Sequence, residues 1–253
     1  MRPTREKAVG AARWLGLGRR TALAEEEVVV ISPHLDDGIF SLGAAVSYAS
    51  RRRAKVTILT VFAGDPGHSA PAGDWDRKAG FETAGEAAVA RRAEDARACA
   101  LVGAHPVWLP FSDLQYGRGG SDEAIRAAVT AVVGTATVLL PGFPLMNPDH
   151  LWLNRLLREA FPPERTGFYA EQPYSALWSE RPGDDLGAAS SEHIPPPASW
   201  QPLRAGLRDQ RRKAAACRAY ETQLPLLGPV VGTIFRYEMR LGGESLSWAS
   251  ARP

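Results

Sequence analysis

The spacing of apolar residues along the chain predicts strands that alternate with helices. Val28-Val29-Val30-Ile31 is a continuous β-branched run, which is typical of a strand buried on both faces. The apolar residues from Leu42 to Ala49 then recur at helical spacing. Alternation of this kind indicates parallel β-α-β units. Further strands are predicted at 56–62, 107–109, 137–140 and 233–239, and further helices at 89–100, 125–133, 153–160 and 208–220.

We therefore expect an α/β fold, with a Rossmann-like, mostly parallel sheet flanked by helices in a single domain. The 253 residues of the chain suffice for one full-size domain of this type. Residues 28–240 are expected to form that domain, with 1–27 as a loosely attached segment and 241–253 as a C-terminal tail. Residues 174–202 accumulate Pro, Ser, Gly and Asp, which predicts a long irregular loop and a candidate lid.

Composition excludes several classes of protein. Hydrophobic residues make up 45% and charged residues 23%, as in globular domains, so a disordered or fibrous chain is excluded. Thirty basic against 28 acidic residues give a net charge of +2, too even a balance to indicate nucleic-acid binding. No apolar run reaches the roughly 18 residues of a membrane span, so we expect a cytoplasmic protein. Cys99 and Cys217 lack the spacing of a disulfide scaffold or a thiolate zinc site.

Residues with ionisable side chains directly follow the first predicted strand. This position is relevant because ligands of open parallel sheets bind outside the carboxyl ends of the strands. The turn at 32–38 lacks the Gly-x-Gly-x-x-Gly pattern, which disfavours NAD binding. It carries His34, Asp36 and Asp37 instead. Helix capping explains one aspartate but not the histidine. Because two adjacent carboxylates repel each other, a nearby cation would stabilise the pair.

A second group, Asn147-Pro148-Asp149-His150, follows the strand predicted at 137–140. Asn before Pro and Asp is a plain helix-start signal, and it places His150 in the first turn at the same sheet edge as His34. Two histidines and one carboxylate are a common catalytic zinc set that leaves a position for water. His34 and Asp37 are spaced to face one ion, which leaves Asp36 where a general base belongs.

These motifs resemble those of the PIG-L/LmbE-like N-acetylglucosaminyl deacetylases. The resemblance rests mainly on Pro33-His34-Leu35-Asp36-Asp37 followed far downstream by Pro148-Asp149-His150. Weaker matches occur in the same order at 64–67, 91–94, 112–113 and 213–223.

The resemblance implies a hydrolase with one zinc ion per chain, or another divalent transition metal, that removes acetyl from an N-acetylated amino sugar. It assigns His34, Asp37 and His150 to the metal and Asp36 to the activation of water. It also implies that the other matched residues, Asp65, Arg91 and Asp113, contact the sugar or organise the pocket, and we expect Asn147 to contact the substrate as well. For Arg91, an ion pair with Glu94 or with a neighbouring loop is an equal alternative.

Asn147 departs from the family pattern, in which a histidine often precedes Pro-Asp-His and is thought to assist protonation. An amide donates a hydrogen bond but cannot protonate a leaving amine. Asp36 or another group must then carry that proton. His68 is a candidate, although a solvated loop histidine is the simpler interpretation.

Two alternative functions stay open at this point. One is a metal-dependent phosphoesterase, because paired aspartates also bind divalent ions at strand ends. The other is a catalytically weakened, sugar-binding member of the family, which the presence of Asn147 would suit. The sequence leaves the oligomeric state and the conjugate that carries the amino sugar undefined.

Overall fold

A seven-stranded mixed sheet lies at the centre of the protein. The computed structural model describes residues 27–175, 200–203, 205–228 and 243–250. The sheet order is β3-β2-β1-β4-β5-β7-β6, in which β1 to β5 are parallel and β7 and β6 are antiparallel to their neighbours. The strands are β1 (Glu27–Ser32), β2 (Lys55–Thr60), β3 (His105–Trp108), β4 (Thr137–Phe143), β5 (Thr166–Ala170), β6 (Gln201–Pro202) and β7 (Ser245–Trp248).

Helices cover both faces of this sheet. The α-helices within the described residues are α1 (Asp37–Ser50), α2 (Asp74–Lys78), α3 (Ala84–Val102), α4 (Asp122–Val133), α5 (Pro148–Leu157) and α6 (Leu207–Arg218). On one face, α1, α3 and α6 contribute to a core that includes Ile39, Cys99 and Ala216. On the other face, α4 and α5 contribute to a second core that includes Ile125 and Leu153.

The β-branched run of β1 explains why this strand lies between the two cores. Val28 and Val30 enter the core beneath α1, whereas Val29 and Ile31 enter the opposite core. All four side chains are buried, so each face of the strand is removed from water. The strand therefore holds its carboxyl end, where His34 follows, in a fixed position.

The packing of α1 against α6 requires a small residue at the contact. A Cβ atom at Gly43 would lie 2.9 Å from Cγ of Lys213, closer than side chains normally approach. Glycine at this position lets the two helices pack closely and buries the Lys213 side chain, whose Nζ pairs with Oε1 of Glu244 at 2.7 Å.

The structure confirms the predicted α/β class and corrects two details. Residues 241–253 were expected to form a tail, but Ser245–Trp248 pairs with β5 and β6 within the sheet, because it supplies the apolar Leu246 to the core. The segment between β2 and α3, for which the sequence predicted no helix, contains the short helix α2. The strand predicted at 233–239, the segment 1–26 and most of the predicted loop, at 176–199, lie outside the described residues.

Within the described parts of the chain, every helix is too short or too polar to cross a membrane.

Candidate active site

Three metal-ligand atoms converge at the carboxyl edge of the sheet, where β1 and β4 lie side by side. His34 follows β1, Asp37 is the first residue of α1, and His150 lies in the first turn of α5. Nδ1 of His34 lies 3.2 Å from Oδ2 of Asp37 and 3.1 Å from Nε2 of His150. Nε2 of His150 lies 3.0 Å from the same Asp37 oxygen. We call these residues the His-Asp-His triangle.

The triangle has the dimensions of one face of a zinc coordination tetrahedron. Zinc–nitrogen bonds of about 2.0–2.1 Å place neighbouring tetrahedral ligands about 3.3 Å apart. The three observed distances of 3.0–3.2 Å are close to that value. Among the described residues, this is the group of His, Cys, Asp and Glu side chains whose ligand atoms come close enough to share one ion.

Each histidine of the triangle is oriented by a second carboxylate. Nδ1 of His150 lies 2.5 Å from Oε1 of Glu171, and Nε2 of His34 lies 3.3 Å from Oδ2 of Asp149. A proton on each of these outer nitrogens leaves the inner nitrogen with a free lone pair. Carboxylate partners of this kind fix the tautomer and the ring orientation of metal-binding histidines.

The carboxylates around the triangle favour a positive charge on its two histidines. Burial disfavours the charged imidazoles, but hydrogen bonds to Asp149 and Asp37 outweigh it and raise the pKa of His34 to about 9. The pKa of His150 is likewise raised, against the effect of burial, by Asp37 and Glu171. Burial opposes ionisation of Asp37, yet the two histidines hold its pKa well below the usual range. The donor set and its charges therefore fit a divalent cation.

Asp149 has a further set of contacts that hold it against His34. Its carboxylate accepts hydrogen bonds from Nε of Arg118 at 2.9 Å and from the backbone N–H of Leu114 at 3.1 Å. Arg118 in turn lies over the ring of Trp152, at 4.6 Å from the ring centroid. Burial opposes ionisation, but these bonds and His34 lower the pKa of Asp149 to about 2. The residue is thus ionised when it orients His34.

Asp36 lies beside the triangle and lines the same cleft. It occupies the N-cap position of α1 without a capping hydrogen bond, and Ser32 takes over that task. Oγ of Ser32 accepts from the N–H of Gly38 at 2.8 Å and donates to the carbonyl oxygen of His34 at 2.6 Å. The simple capping explanation of Asp36 therefore does not hold.

The surroundings of Asp36 bring its pKa close to neutral pH. Burial and the adjacent charge of Asp37 raise the pKa of Asp36 to about 7, while Arg91 and the histidines act in the opposite direction. Within the described residues, no hydrogen bond reaches its carboxylate, which leaves both oxygens available to a ligand in the cleft. A group of this kind can accept and return a proton near neutral pH.

The cleft has a volume of about 400 Å³ and contains most of the other residues singled out in the sequence. Arg91 and Asp113 line it, and so does Asn147. Nη1 of Arg91 lies 3.3 Å from Oδ1 of Asp76 in α2, so its ion pair is with the loop and not with Glu94. Among the described residues, Nε of Arg91 and Oδ1 of Asp113 are buried and have no hydrogen-bond partner. A ligand with hydroxyl groups could satisfy both atoms.

Asp65 and His68 do not reach the cleft that the described residues form. Oδ1 of Asp65 accepts a hydrogen bond from the N–H of Gly67 at 2.9 Å, which stabilises a turn. The His68 side chain is 82% exposed and its nearest ionic neighbour is Asp65, at 3.6 Å. The loop after β2 points both side chains away because Gly64 and Pro66, rather than Asp65, pack near Arg91.

Asn147 caps α5 and influences Tyr174. Its Oδ1 accepts from the N–H of Asp149 at 2.8 Å and so caps α5, as the helix-start signal predicts. Tyr174 also lines the cleft, and Asn147 acts to lower the pKa of its hydroxyl, against the larger effect of burial. The ring of Tyr174 stands edge-on to His150, with the centroids 5.9 Å apart. Burial and nearby carboxylates raise the pKa of Tyr174, so its hydroxyl is a neutral donor.

Sequence reasoning missed four residues of this site: Arg118, Glu171, Tyr174 and Trp75. Glu171 and Tyr174 follow β5, a strand with no clear alternation in the sequence. The pairing of β5 with β4 points to Glu171, because the carboxyl ends of neighbouring parallel strands meet at the same edge of the sheet.

The parallel sheet and the His-Asp-His triangle at its carboxyl edge are the arrangement of one class of protein, the metal-dependent amidohydrolases. Residues 29–161 match the model of the PIG-L family, described as GlcNAc-PI de-N-acetylase. That match covers more than half of the chain, and the protein belongs to the PIG-L family. A search of curated protein sequences gives no significant match.

Solved structures with the same fold include deacetylases and one enzyme of another class. The A40926 pseudoaglycone deacetylase Dbv21 is 23% identical, with a TM-score of 0.64 over 90% of this chain and 99% of its own. A zinc-inhibited form of teicoplanin deacetylase Orf2 is 19% identical, with a TM-score of 0.63 over 88% and 97%. GalB of Pseudomonas putida KT2440, a 4-carboxy-2-hydroxymuconate hydratase, is 17% identical, with a TM-score of 0.60 over 90% and 98%. At these identities the likeness concerns the fold alone.

Proposed function

We propose that the protein is a zinc-dependent N-deacetylase that hydrolyses the acetamide of an N-acetyl amino sugar in a glycoconjugate or specialised metabolite. The observation that carries the proposal is the His-Asp-His triangle with the carboxylate of Asp36 beside it, to which no described residue donates a hydrogen bond. A hydratase such as GalB shares the fold, so the chemistry is argued from these side chains and the family and not from the fold.

In this proposal His34, Asp37 and His150 hold one divalent ion, with zinc as the first candidate because of the two imidazoles and one carboxylate. Such an ion supplies Lewis acidity, which polarises the acetamide carbonyl and lowers the pKa of water to about 7. Glu171 and Asp149 keep the two imidazoles in the tautomers that bind metal.

Asp36 moves the proton. Its carboxylate takes a proton from the attacking water as the new C–O bond forms at the carbonyl carbon. The protonated carboxyl then donates to the nitrogen as the C–N bond breaks, which yields acetate and a free amine. A cation in the triangle lowers the pKa of Asp36, so the group starts as the carboxylate at neutral pH.

Other residues of the cleft bind and orient the substrate. Among the described residues, Nε of Arg91 and Oδ1 of Asp113 are a donor and an acceptor without partners, as vicinal hydroxyl groups of a sugar require. Tyr174 lines the cleft beside His150, and its hydroxyl is a neutral donor. It suits stabilisation of developing negative charge on the carbonyl oxygen, and Asn147 needs no proton of its own.

The charges of the cleft oppose the alternative of a phosphoesterase. Among the described residues, four aspartates line it, Asp36, Asp37, Asp113 and Asp149, against one arginine and no lysine, and that arginine, Arg91, already pairs with Asp76. A phosphate group would meet net negative charge in this part of the structure, whereas an acetamide carries none.

The test combines metal analysis with acetate release from N-acetylglucosaminides. The wild-type protein should bind about one zinc-class ion per chain and release acetate, and His150→Ala should lose both properties. His105→Ala, which alters an exposed histidine of β3, is the matched control and should keep both. Zinc is titrated from below one equivalent to excess, because zinc inhibits one structural relative.

Full metal content in His150→Ala would refute the ligand assignment. Phosphate release from phosphomonoesters without acetate release would favour the phosphoesterase. Metal binding with neither reaction would favour a family member that has lost catalysis.

A further inference from the structure

Part of the cleft lining is apolar. Trp75, Leu114, Pro148 and Leu227 line it, together with the neutral amide of Gln223, and we call these four residues the apolar wall. Trp75 belongs to α2, the short helix within the loop after β2. The wall therefore combines residues from separate parts of the chain that the fold brings to one cleft.

A chain of partly buried hydrogen bonds fixes the indole ring of Trp75. Its Nε1–H donates to Oε1 of Gln223 at 2.7 Å, and Nε2 of Gln223 donates to Oγ1 of Thr222 at 2.8 Å. Thr222 donates from its hydroxyl and its backbone N–H to the buried carboxylate of Glu94, each at 2.8 Å. Because the only polar atom of the indole is already satisfied, Trp75 offers a ligand its ring surface and no hydrogen bond.

Leu114 is held at the same cleft by its backbone. Its N–H donates to the Asp149 carboxylate, which orients His34, so the leucine lies next to the metal-binding residues. The Leu114 side chain is nevertheless 52% exposed, one of few large hydrophobic side chains that are exposed in the described residues. Large apolar side chains in a ligand cleft gain stability when a ligand covers them.

The apolar wall also lacks positive charge. Among the described residues, Arg91 is the one arginine or lysine that lines the cleft, and it pairs with Asp76, while the nearby Arg118 pairs with Asp149. Arginine and lysine side chains are what proteins normally use to bind phosphate. The described residues therefore offer contacts to an apolar group beside the amino sugar. They offer a phosphate no arginine or lysine that is not already paired with a carboxylate.

From these contacts we infer that the sugar's substituent, the aglycone, is an uncharged aromatic or similarly apolar group that packs on Trp75 and Leu114. The inference rests on the proposed function, since it takes an N-acetyl amino sugar as the group at the triangle. It excludes a glycosyl phosphate as the preferred substrate, although the family model is described by a phosphoinositide substrate.

The test measures binding, so that it does not depend on turnover. Zinc-loaded Asp36→Asn protein is titrated with phenyl N-acetyl-β-glucosaminide, methyl N-acetyl-β-glucosaminide and N-acetylglucosamine 1-phosphate. We expect the phenyl glycoside to bind at least about tenfold more tightly than the methyl glycoside, and the 1-phosphate to bind no more tightly than the methyl glycoside.

The same titrations in variants assign the preference to the wall. Adding Leu114→Ala or Trp75→Ala to the Asp36→Asn protein should reduce the phenyl preference to about threefold or less, with methyl glycoside binding nearly unchanged. Trp75→Phe keeps an aromatic ring and should therefore retain part of the preference for the phenyl glycoside. Leu207→Ala removes a 72% exposed leucine outside the cleft lining and is the matched control.

Equal affinity for the phenyl and methyl glycosides, or tightest binding of the 1-phosphate, would overturn the inference. A phenyl preference that survives both wall substitutions would overturn it as well. Failure of the proposed function has a different signature, namely no acetate release by the zinc-loaded wild-type protein from any of the three compounds.

Discussion

At the scale of single residues, the site separates metal binding from proton transfer between two adjacent aspartates. Oδ2 of Asp37 faces both histidines, whereas the carboxylate of Asp36 has no such contact and faces the cleft. The difference arises because α1 begins at Asp37, so that the two side chains leave the backbone in different directions.

The first prediction concerns Asp36. Asp36→Asn should keep metal and fold but lower the rate of acetate release by at least about a hundredfold, because an amide cannot accept the proton of the attacking water. Metal analysis and a steady-state assay measure the two effects. Loss of the metal in this variant would make Asp36 a ligand instead.

Glu171 gives a second prediction at this scale. Glu171→Gln removes the charge that orients His150 and should weaken zinc affinity about 10- to 100-fold, as losses of such partners usually do. Competition with a chelator of known affinity measures the change. Glu164→Gln, an exposed glutamate on the segment before β5, is the matched control and should leave the affinity unaltered. Unchanged affinity in Glu171→Gln would show that Glu171 does not support the metal.

The residues that sequence analysis predicted are those in short local motifs. His34, Asp37 and His150 lie in two tight turns after strands, where spacing alone limits the geometry. Glu171 and Arg118 act through contacts with residues 21 and 31 positions away. Nothing in the sequence around either residue marks such a contact, because it depends on how β5 and the 117–121 turn pack against α5.

At the scale of elements, the join between α1 and α6 depends on one buried carboxylate. Asp209, in the first turn of α6, accepts hydrogen bonds from Nε and Nη2 of Arg51 at 2.8 and 2.7 Å. It also accepts from the hydroxyl of Ser47 at 2.9 Å. Burial opposes ionisation of Asp209, but these bonds outweigh it and lower its pKa.

The sign of the resulting pH dependence follows from that lowered pKa. The ionised carboxylate stabilises the fold at pH values above the unfolded pKa of about 4, and this contribution is lost as pH falls toward the folded pKa. Asp209→Asn should lower the free energy of unfolding by about 2 kcal/mol at pH 7. It should also reduce the dependence of stability on pH between about 5 and 3.

Urea unfolding at a series of pH values measures both effects. Asp122→Asn, which alters an exposed carboxylate at the start of α4, is the control and should change stability little. A wild-type pH dependence that persists unchanged in Asp209→Asn would assign the acid sensitivity to other carboxylates.

The elements that the sequence predicted are those with long, regular patterns. The β-branched run of β1 and the helical repeats of α1, α3 and α4 dominate their segments, so their type was evident. β5, with the sequence Thr-Gly-Phe-Tyr-Ala, is short and contains a glycine, and α2 has only five residues. Their structures depend on the sheet edge and the loop into which they pack.

At the scale of the whole molecule, the triangle couples metal binding to folding, because its three ligand atoms come together only in the folded chain. Zinc at about 100 times its dissociation constant should stabilise the protein by about 2.7 kcal/mol. The midpoint of thermal unfolding should then rise by about 5 °C or more in a domain of this size. Calorimetry of metal-free protein with and without zinc measures the shift.

The variants His34→Ala and His105→Ala distinguish specific from unspecific stabilisation. His34→Ala should remove most of the zinc-dependent shift, and His105→Ala should keep it. A shift of the same size in both variants would mean that zinc acts elsewhere on the protein.

The pairing of β1 with β4 has a consequence for the order of events in folding. His34 and His150 are 116 positions apart, and the intervening chain includes β2, β3 and the helices between them. Contacts across such a separation form late, because the entropy of closing a long loop is lost before they stabilise the chain. We therefore expect helical circular dichroism to recover first in refolding, and displacement of zinc from a colorimetric chelator to follow in a later phase. The metal centre would then report the moment at which the two halves of the sheet join.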